Sequence, residues 1–190
     1  PDDRARIGGK PIRYLLEAGY AGRILPVNPG RDTVQDLPCH RSIAAVPRPV
    51  DAAILAVPAE AMEQAVAECA AHGVKLAIIF SAGFAETDDT GRARQQRIEA
   101  IAHEAGMRLL GPNCLGLFDA GRGFYGTFTQ ALDDGVARPG PVAIASQSGA
   151  YGAHVLMLCK LRGLGVRYWI ATGNEADIDI GDSLLWLAHE

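Results

Sequence analysis

Residues 51–57 read Asp51-Ala52-Ala53-Ile54-Leu55-Ala56-Val57 and stand between Pro49 and Pro58. A short, continuous apolar run closed by turn formers is how a strand buried on both faces is written, because neither face has to alternate with solvent. Comparable runs recur at 23–27, 75–80, 108–110, 141–145 and 166–171. Between them lie longer stretches with helical spacing, at 10–18, 59–72 and 91–105. In 59–72, Met62, Ala65, Val66 and Cys69 fall at i, i+3, i+4 and i+7, a single stripe for burial. Strand and helix alternating in this way predict right-handed crossovers and a parallel sheet with helices on both faces. The fold class is α/β.

The apolar runs end in Asn28-Pro29-Gly30, Pro58-Ala59-Glu60, Ser81-Ala82-Gly83 and Gly111-Pro112-Asn113. In an open parallel sheet such carboxyl-end turns line the ligand crevice. Residues 114–130, with four glycines, three Phe and one Tyr, have no helical period and predict an irregular or hairpin-like connection. Asp133-Asp134-Gly135 and Pro139-Gly140-Pro141 mark 131–140 as a linker. A second strand-helix series starts at Val142 and is incomplete at Glu190. The expected organisation is therefore a first unit over 1–130, a linker over 131–140 and the start of a second unit over 141–190. Pro1-Asp2-Asp3 opens without an initiator Met and runs into the Gly8-Gly9 turn, so the sequence is expected to begin inside the first unit.

The 190 residues are 48% apolar, carry a net charge of -4 and contain no long block of one sign. This describes a soluble globular protein and argues against a nucleic-acid binder or a disordered tail. Phosphate binding then has to come from local geometry. Cys39, Cys69, Cys114 and Cys159 are far apart, with no C-x-x-C pair and no histidine at metal-ligand spacing, so they read as reduced thiols and no metal site is assigned. No signal peptide is evident, and no apolar run approaches the roughly 18 to 20 residues that cross a bilayer. A cytoplasmic location without membrane contact is expected.

Ser146-Gln147-Ser148-Gly149-Ala150 lies between a buried strand and an apolar helix. Hydroxyls and unpaired amide N–H groups converge there, and the helix start offers roughly half a positive charge, which suits a phosphoryl group without Lys or Arg. Ser146, Ser148 and Gly149 are the candidate phosphate-binding residues; the plainer alternative is N-capping by Ser146 or Ser148. After the run 23–27, a nicotinamide-binding domain would place Asp or Glu to hold the ribose. Here Asn28-Pro29-Gly30 is followed by Arg31, a guanidinium suited to a phosphate monoester such as the 3′-phosphate of CoA or the 2′-phosphate of NADP. The alternative is a surface arginine after a turn. Gly8-Gly9-Lys10-Pro11 resembles the end of a phosphate loop or a simple turn. Asn174, Glu175, Asp177, Asp179 and Asp182 read as a loop and helix N-cap in preference to a metal site. No histidine among His40, His72, His103, His154 and His189 has a partner at catalytic spacing.

Six motifs in order carry a family resemblance: Ile24-Leu25-Pro26-Val27-Asn28-Pro29, Ala56-Val57-Pro58-Ala59, Ser81-Ala82-Gly83-Phe84-Ala85-Glu86, Leu110-Gly111-Pro112-Asn113-Cys114-Leu115-Gly116, Ser146-Gln147-Ser148-Gly149-Ala150 and Gly173-Asn174-Glu175-Ala176-Asp177. Together they resemble the NDP-forming acyl-CoA synthetases, which include ADP-forming acetyl-CoA synthetases and are related to the succinyl-CoA synthetase alpha subunit. The resemblance implies a Rossmann-like CoA-binding domain followed by a flavodoxin-like domain. It implies an acid-thiol ligase that joins a carboxylic acid to CoA, with ATP cleaved to ADP and phosphate through an acyl phosphate and a phosphohistidine.

By the same resemblance Gly8, Asn28, Pro29, Arg31, Val57, Pro58, Ser81, Ala82, Gly83 and Asn113 would contact CoA. Asn28, Pro29 and Arg31 would lie at its adenosine-phosphate end and Asn113 near its thiol arm, while Ser146, Ser148 and Gly149 would cradle the phosphohistidine. The family's opening strand and first glycine-rich turn are absent before Pro1, and its phosphorylated histidine lies downstream of Glu190. No catalytic residue is therefore assigned here, and the fragment alone is expected to be inactive. ATP and Mg are expected outside this stretch, on a nucleotide-grasp domain or beta subunit, and an oligomer is expected. Two alternatives stand beside the ligase: a CoA-sensing regulatory module of a protein lysine acetyltransferase, and an NADP-dependent oxidoreductase.

Overall fold

The computed structural model describes residues 2–190. Helix α1 (Lys10–Glu17) begins with Pro11 in its first turn, where a missing N–H costs nothing. A small antiparallel ribbon follows, β1 (Thr33–Val34) against β2 (Leu37–Pro38). The main series then runs β3 (Ala52–Leu55), α2 (Ala59–His72), β4 (Leu76–Ile79), α3 (Asp89–Glu104) and β5 (Arg108–Leu110). Strands β3, β4 and β5 pair in parallel, with Ala52 opposite Leu76 and Leu76 opposite Arg108.

The stripe expected in α2 is buried: Met62, Val66 and Cys69 are fully covered and Ala65 partly so. They pack with Leu55, Ala77, Ile79 and Leu109 from one face of the sheet and with Ile98 and Ala102 of α3. Both helices thus cover the same face. The other face, carrying Ile54, Ile78 and Leu110, packs against Phe80, Leu117, Phe124, Phe128 and Ile170. The structure places a second sheet where sequence reasoning expected helices.

That second sheet has the order β7-β6-β9-β8. Strands β6 (Gly116–Asp119) and β7 (Phe124–Thr127) form the hairpin foreseen in the glycine-rich connection. Strand β8 (Val142–Ser146) is followed by α4 (Gly149–Leu161), β9 (Val166–Ala171) and α5 (Ile180–Leu187). Strand β9 is parallel to β8 and antiparallel to β6. The hairpin therefore completes the sheet of the following unit, and its core is built on Phe118, Tyr125 and the buried Trp169. Segment 131–140 is packed as well. Leu132 and Ala137 are buried, and the Asp133 carboxylate accepts from Lys10 Nζ at 2.6 Å and Tyr14 Oη at 2.8 Å, tying the segment to α1.

One expected strand does not form. Residues 23–27 make a single bridge, Val27 to His40, held by Asn28 N–H to His40 O at 2.9 Å and His40 N–H to Pro26 O at 2.8 Å. Pro26 has no N–H to donate, and β3 takes its ladder from β4 alone.

Candidate functional site

The carboxyl ends of the parallel strands bring three turns together. Ser81 Oγ donates to Val57 O, joining the turns after β3 and β4. Asn113 N–H donates to Ser81 O at 2.9 Å, which brings in the turn after β5. That turn contains a cis peptide before Pro112 and a left-handed Asn113, φ 54°. Pro58 is the N-cap position of α2, whose first-turn amides face the same edge.

Across from them stands the start of α4. Ser148 is its N-cap, and the hydroxyl accepts from Tyr151 N–H at 3.3 Å, so the plainer capping reading holds for this residue. Ser146 Oγ is engaged too, donating to Ser148 O at 2.8 Å. Gly149 and Ala150 have no intrahelical acceptor for their N–H groups. Gly149 also owes its identity to packing, since a Cβ there would sit 2.5 Å from Leu115 Cγ. A cleft of about 410 Å³ separates the two edges, walled by Asn113, Ser148, Gly149, Phe80, Leu115 and Phe128. It offers amide donors at one wall and apolar surface at the other.

The remaining expected residues form a separate group. Asn28 makes an Asx turn to Gly30 N–H at 2.9 Å, and Arg31 is ion-paired with Asp2. Arg41 donates to Pro29 O at 2.6 Å and so braces the same turn. Gly8 precedes α1, and the neighbouring Gly9 carbonyl accepts from Gln35 Nε2 at 2.8 Å. A larger groove of about 650 Å³ runs past Tyr20, Leu110, Phe118, Ile170 and Trp186, and none of the expected site residues lines it.

Sequence reasoning missed the polar network that joins the two sheets at the cleft. Glu86 accepts from Gly83 N–H at 2.6 Å and from Phe84 N–H at 3.2 Å, and also from Asn174 Nδ2. Partial burial opposes its ionisation, yet the hydrogen bonds from Asn174 and the loop amides hold its carboxyl below the ordinary range. Asn174 also donates to Gln95 Oε1 at 3.2 Å and accepts from Asn113 Nδ2 at 3.3 Å. Gln147 Nε2 donates to Gly173 O at 2.6 Å, continuing the chain of contacts to the Ser148 loop. The available signal was Glu86 standing three residues after Gly83, a spacing at which a carboxylate reaches back to loop amides. The acidic run reads as expected: Asp179 caps α5 through Asp182 N–H at 2.7 Å, and Asp177 and Asp182 pair with Arg108. Among the described residues no group of metal-binding side chains gathers, and no helix is long and apolar enough to cross a membrane.

The model of the CoA binding domain matches residues 1–119, and that of the succinyl-CoA ligase like flavodoxin domain matches 139–190. Acetate–CoA ligase [ADP-forming] II subunit alpha of Pyrococcus furiosus is 35% identical over 187 residues, which is 98% of this chain and 40% of that protein. Trans-feruloyl-CoA synthase FCS1, from an unknown prokaryotic organism, is 34% identical over 190 residues, 100% of this chain and 27% of that one. Among solved structures, the dinucleotide forming acetyl-coenzyme A synthetase 1 of Ca. Korarchaeum cryptofilum, in complex with phosphate and ADP, superposes with a TM-score of 0.92 at 32% identity, covering 100% of this chain and 40% of that one. The chain thus spans well under half the length of these relatives. Ordered motifs, two adjoining domain matches and the shared architecture lead to one conclusion: this chain belongs to the CoA binding domain family over residues 1–119, joined to a succinyl-CoA ligase like flavodoxin domain over 139–190, the arrangement it shares with parts of the ADP-forming ligases above.

Proposed function

We propose that the protein carrying this chain is an ADP-forming acyl-CoA ligase, and that the chain supplies its CoA site and one phosphoryl-binding helix start. The observation that carries this reading is the cleft in which Asn113, from the CoA-binding domain, faces Ser148 and Gly149, from the flavodoxin-like domain. A thiol arm entering along the turns of Val57, Pro58, Ser81, Ala82 and Gly83 would end beside Asn113. The apolar wall of Phe80, Leu115 and Phe128 suits a pantetheine chain, and the amides of Gly149 and Ala150 suit phosphoryl oxygens. Arg31, at the surface beside Asn28 and Pro29, would exchange its Asp2 partner for the 3′-phosphate of CoA. Gly8 would border that end of the ligand.

The chain's own chemical contribution is electrostatic. Preorganised N–H donors at a helix start stabilise phosphoryl charge without having to reorganise during reaction. ATP and Mg belong, in this reading, to a nucleotide-grasp domain or beta subunit, and the assembled enzyme is an oligomer. Free thiols at all four cysteines among the described residues accord with a reducing cytoplasm.

Two measurements on the full-length protein test the proposal. Calorimetric titration should show binding of CoA and no comparable binding of NADP; the reverse preference overturns it. Ser148→Ala should diminish phosphoenzyme labelling from γ-labelled ATP by removing the cap that orders the Gly149 and Ala150 amides, and undiminished labelling removes Ser148 from the phosphoryl role.

A further inference from the structure

The two halves of the cleft belong to different sheets, and one side chain carried by the second is bonded to turns of the first. Asn174 follows β9 in the flavodoxin-like domain, and its backbone N–H donates to Pro112 O at 2.9 Å. Its amide oxygen accepts from Asn113 Nδ2 at 3.3 Å, and its amide nitrogen donates to Glu86 and to Gln95 Oε1 at 3.2 Å. Glu86 in turn holds the N–H groups of Gly83 and Phe84. Both ends of the Asn174 amide are therefore committed to turns of the CoA-binding domain. Only a side chain with a donor and an acceptor at this length satisfies the arrangement, since Asp lacks the donor and Ser lacks the reach.

We propose that Asn174 is a positioning residue for CoA, setting the Ser81–Gly83 turn through Glu86 and the Asn113 turn directly. The inference rests on the CoA-binding reading above and adds to it a residue from the neighbouring domain. The network is polar and partly buried, so a mismatch leaves a donor or a carboxylate facing its like, and the turn relaxes. The direction of each bond makes a swap informative. Asn174→Asp puts a carboxylate against the Glu86 carboxylate. Glu86→Gln opposes two amide donors, or else turns its own donor toward the Gly83 and Phe84 N–H groups. Combined, the two substitutions restore one donor and one acceptor at the Asn174–Glu86 contact, while the bonds to Asn113 and Gly83 keep their direction and only the 3.2 Å bond to Gln95 Oε1 is lost.

The test is calorimetric titration of CoA into the full-length protein and its three variants, with a thermal melt of each. Each single substitution is expected to weaken CoA about tenfold, and the double variant to return to within about threefold of the original affinity. A role limited to folding would lower the melting temperature without this reciprocal recovery of affinity. Unchanged CoA affinity in the single variants, or a double variant no better than the worse single one, overturns the positioning role and leaves CoA binding intact. Absence of CoA binding in the unsubstituted protein overturns the function on which the inference rests. Should Asn174→Asp fail to fold, Glu86→Gln compared with the double variant gives the same decision.

Discussion

Replacing Gly173 by alanine isolates the contact that fixes the flavodoxin-like domain against the cleft. Gly173 has φ 67°, and a Cβ there would lie 2.5 Å from Pro112 O and 2.7 Å from Asn113 O. The left-handed conformation alone costs an alanine roughly 1 to 2 kcal/mol. The clash is with backbone, so the segment has to move, and that movement strains Gly173 N–H to Gln147 O at 3.2 Å and Asn174 N–H to Pro112 O at 2.9 Å. Two weakened hydrogen bonds add about 2 kcal/mol. Gly163 supplies the control, because its φ is 70° and a Cβ there meets nothing within 4 Å. Gly163→Ala should carry the conformational cost only. In a chain of 190 residues, Gly173→Ala should therefore melt roughly 4 to 8 °C below Gly163→Ala, followed by far-ultraviolet circular dichroism. Equal melting temperatures would show that the approach to Pro112 contributes nothing and that Gly173 is needed for its backbone angle alone.

Asp133→Asn should destabilise by about 2 kcal/mol at pH 7, since it takes the charge partner from the buried Lys10; urea midpoints measure it. Burial works against ionisation of Asp133, but donors from Lys10, Tyr14 and Arg13 outweigh it and lower its pKa from 3.8. A carboxyl lowered on folding gives stability that is present above its unfolded value and lost as pH falls through the folded one. The acid limb below about pH 4 should thus be shallower in Asp133→Asn, and an identical limb would exclude Asp133 as its source. Met62→Ala, at a fully buried position of α2, should cost about 3 kcal/mol through the cavity it leaves, again read from urea midpoints. Thiol titration of the native protein at pH 8 should find Cys39 reactive and Cys114 silent, because Cys39 is half-buried while burial pushes the Cys114 thiol up to about 12. A fast phase that survives Cys39→Ser would contradict this.

Much of the α/β pattern was legible because it is written locally. The run 51–57 became β3, the stripe of Met62, Val66 and Cys69 became the buried face of α2, and Ser148 became a helix cap, each from spacing within one element. Motif order located the cleft-lining residues Asn113, Ser148 and Gly149, although bonds within the chain already occupy several of the hydroxyls and amides around them. Residues 23–27 have the composition of a strand and fail to become one, because a strand needs a continuous partner and their one bridge is to His40.

Apart from 23–27, the sequence by itself determined which of the expected segments would be strands and which helices, and placed the turns after β3, β4 and β5 at strand ends, since backbone preference and apolar period act over a few residues. Tertiary structure alone decided that the hairpin 116–127 would join β9, that a second sheet would cover the face carrying Ile54, Ile78 and Leu110, and that Asn174 would reach Glu86 across 88 residues. Those choices depend on shape and on unpaired donors meeting acceptors far along the chain. No local window of residues contains both members of such a pair.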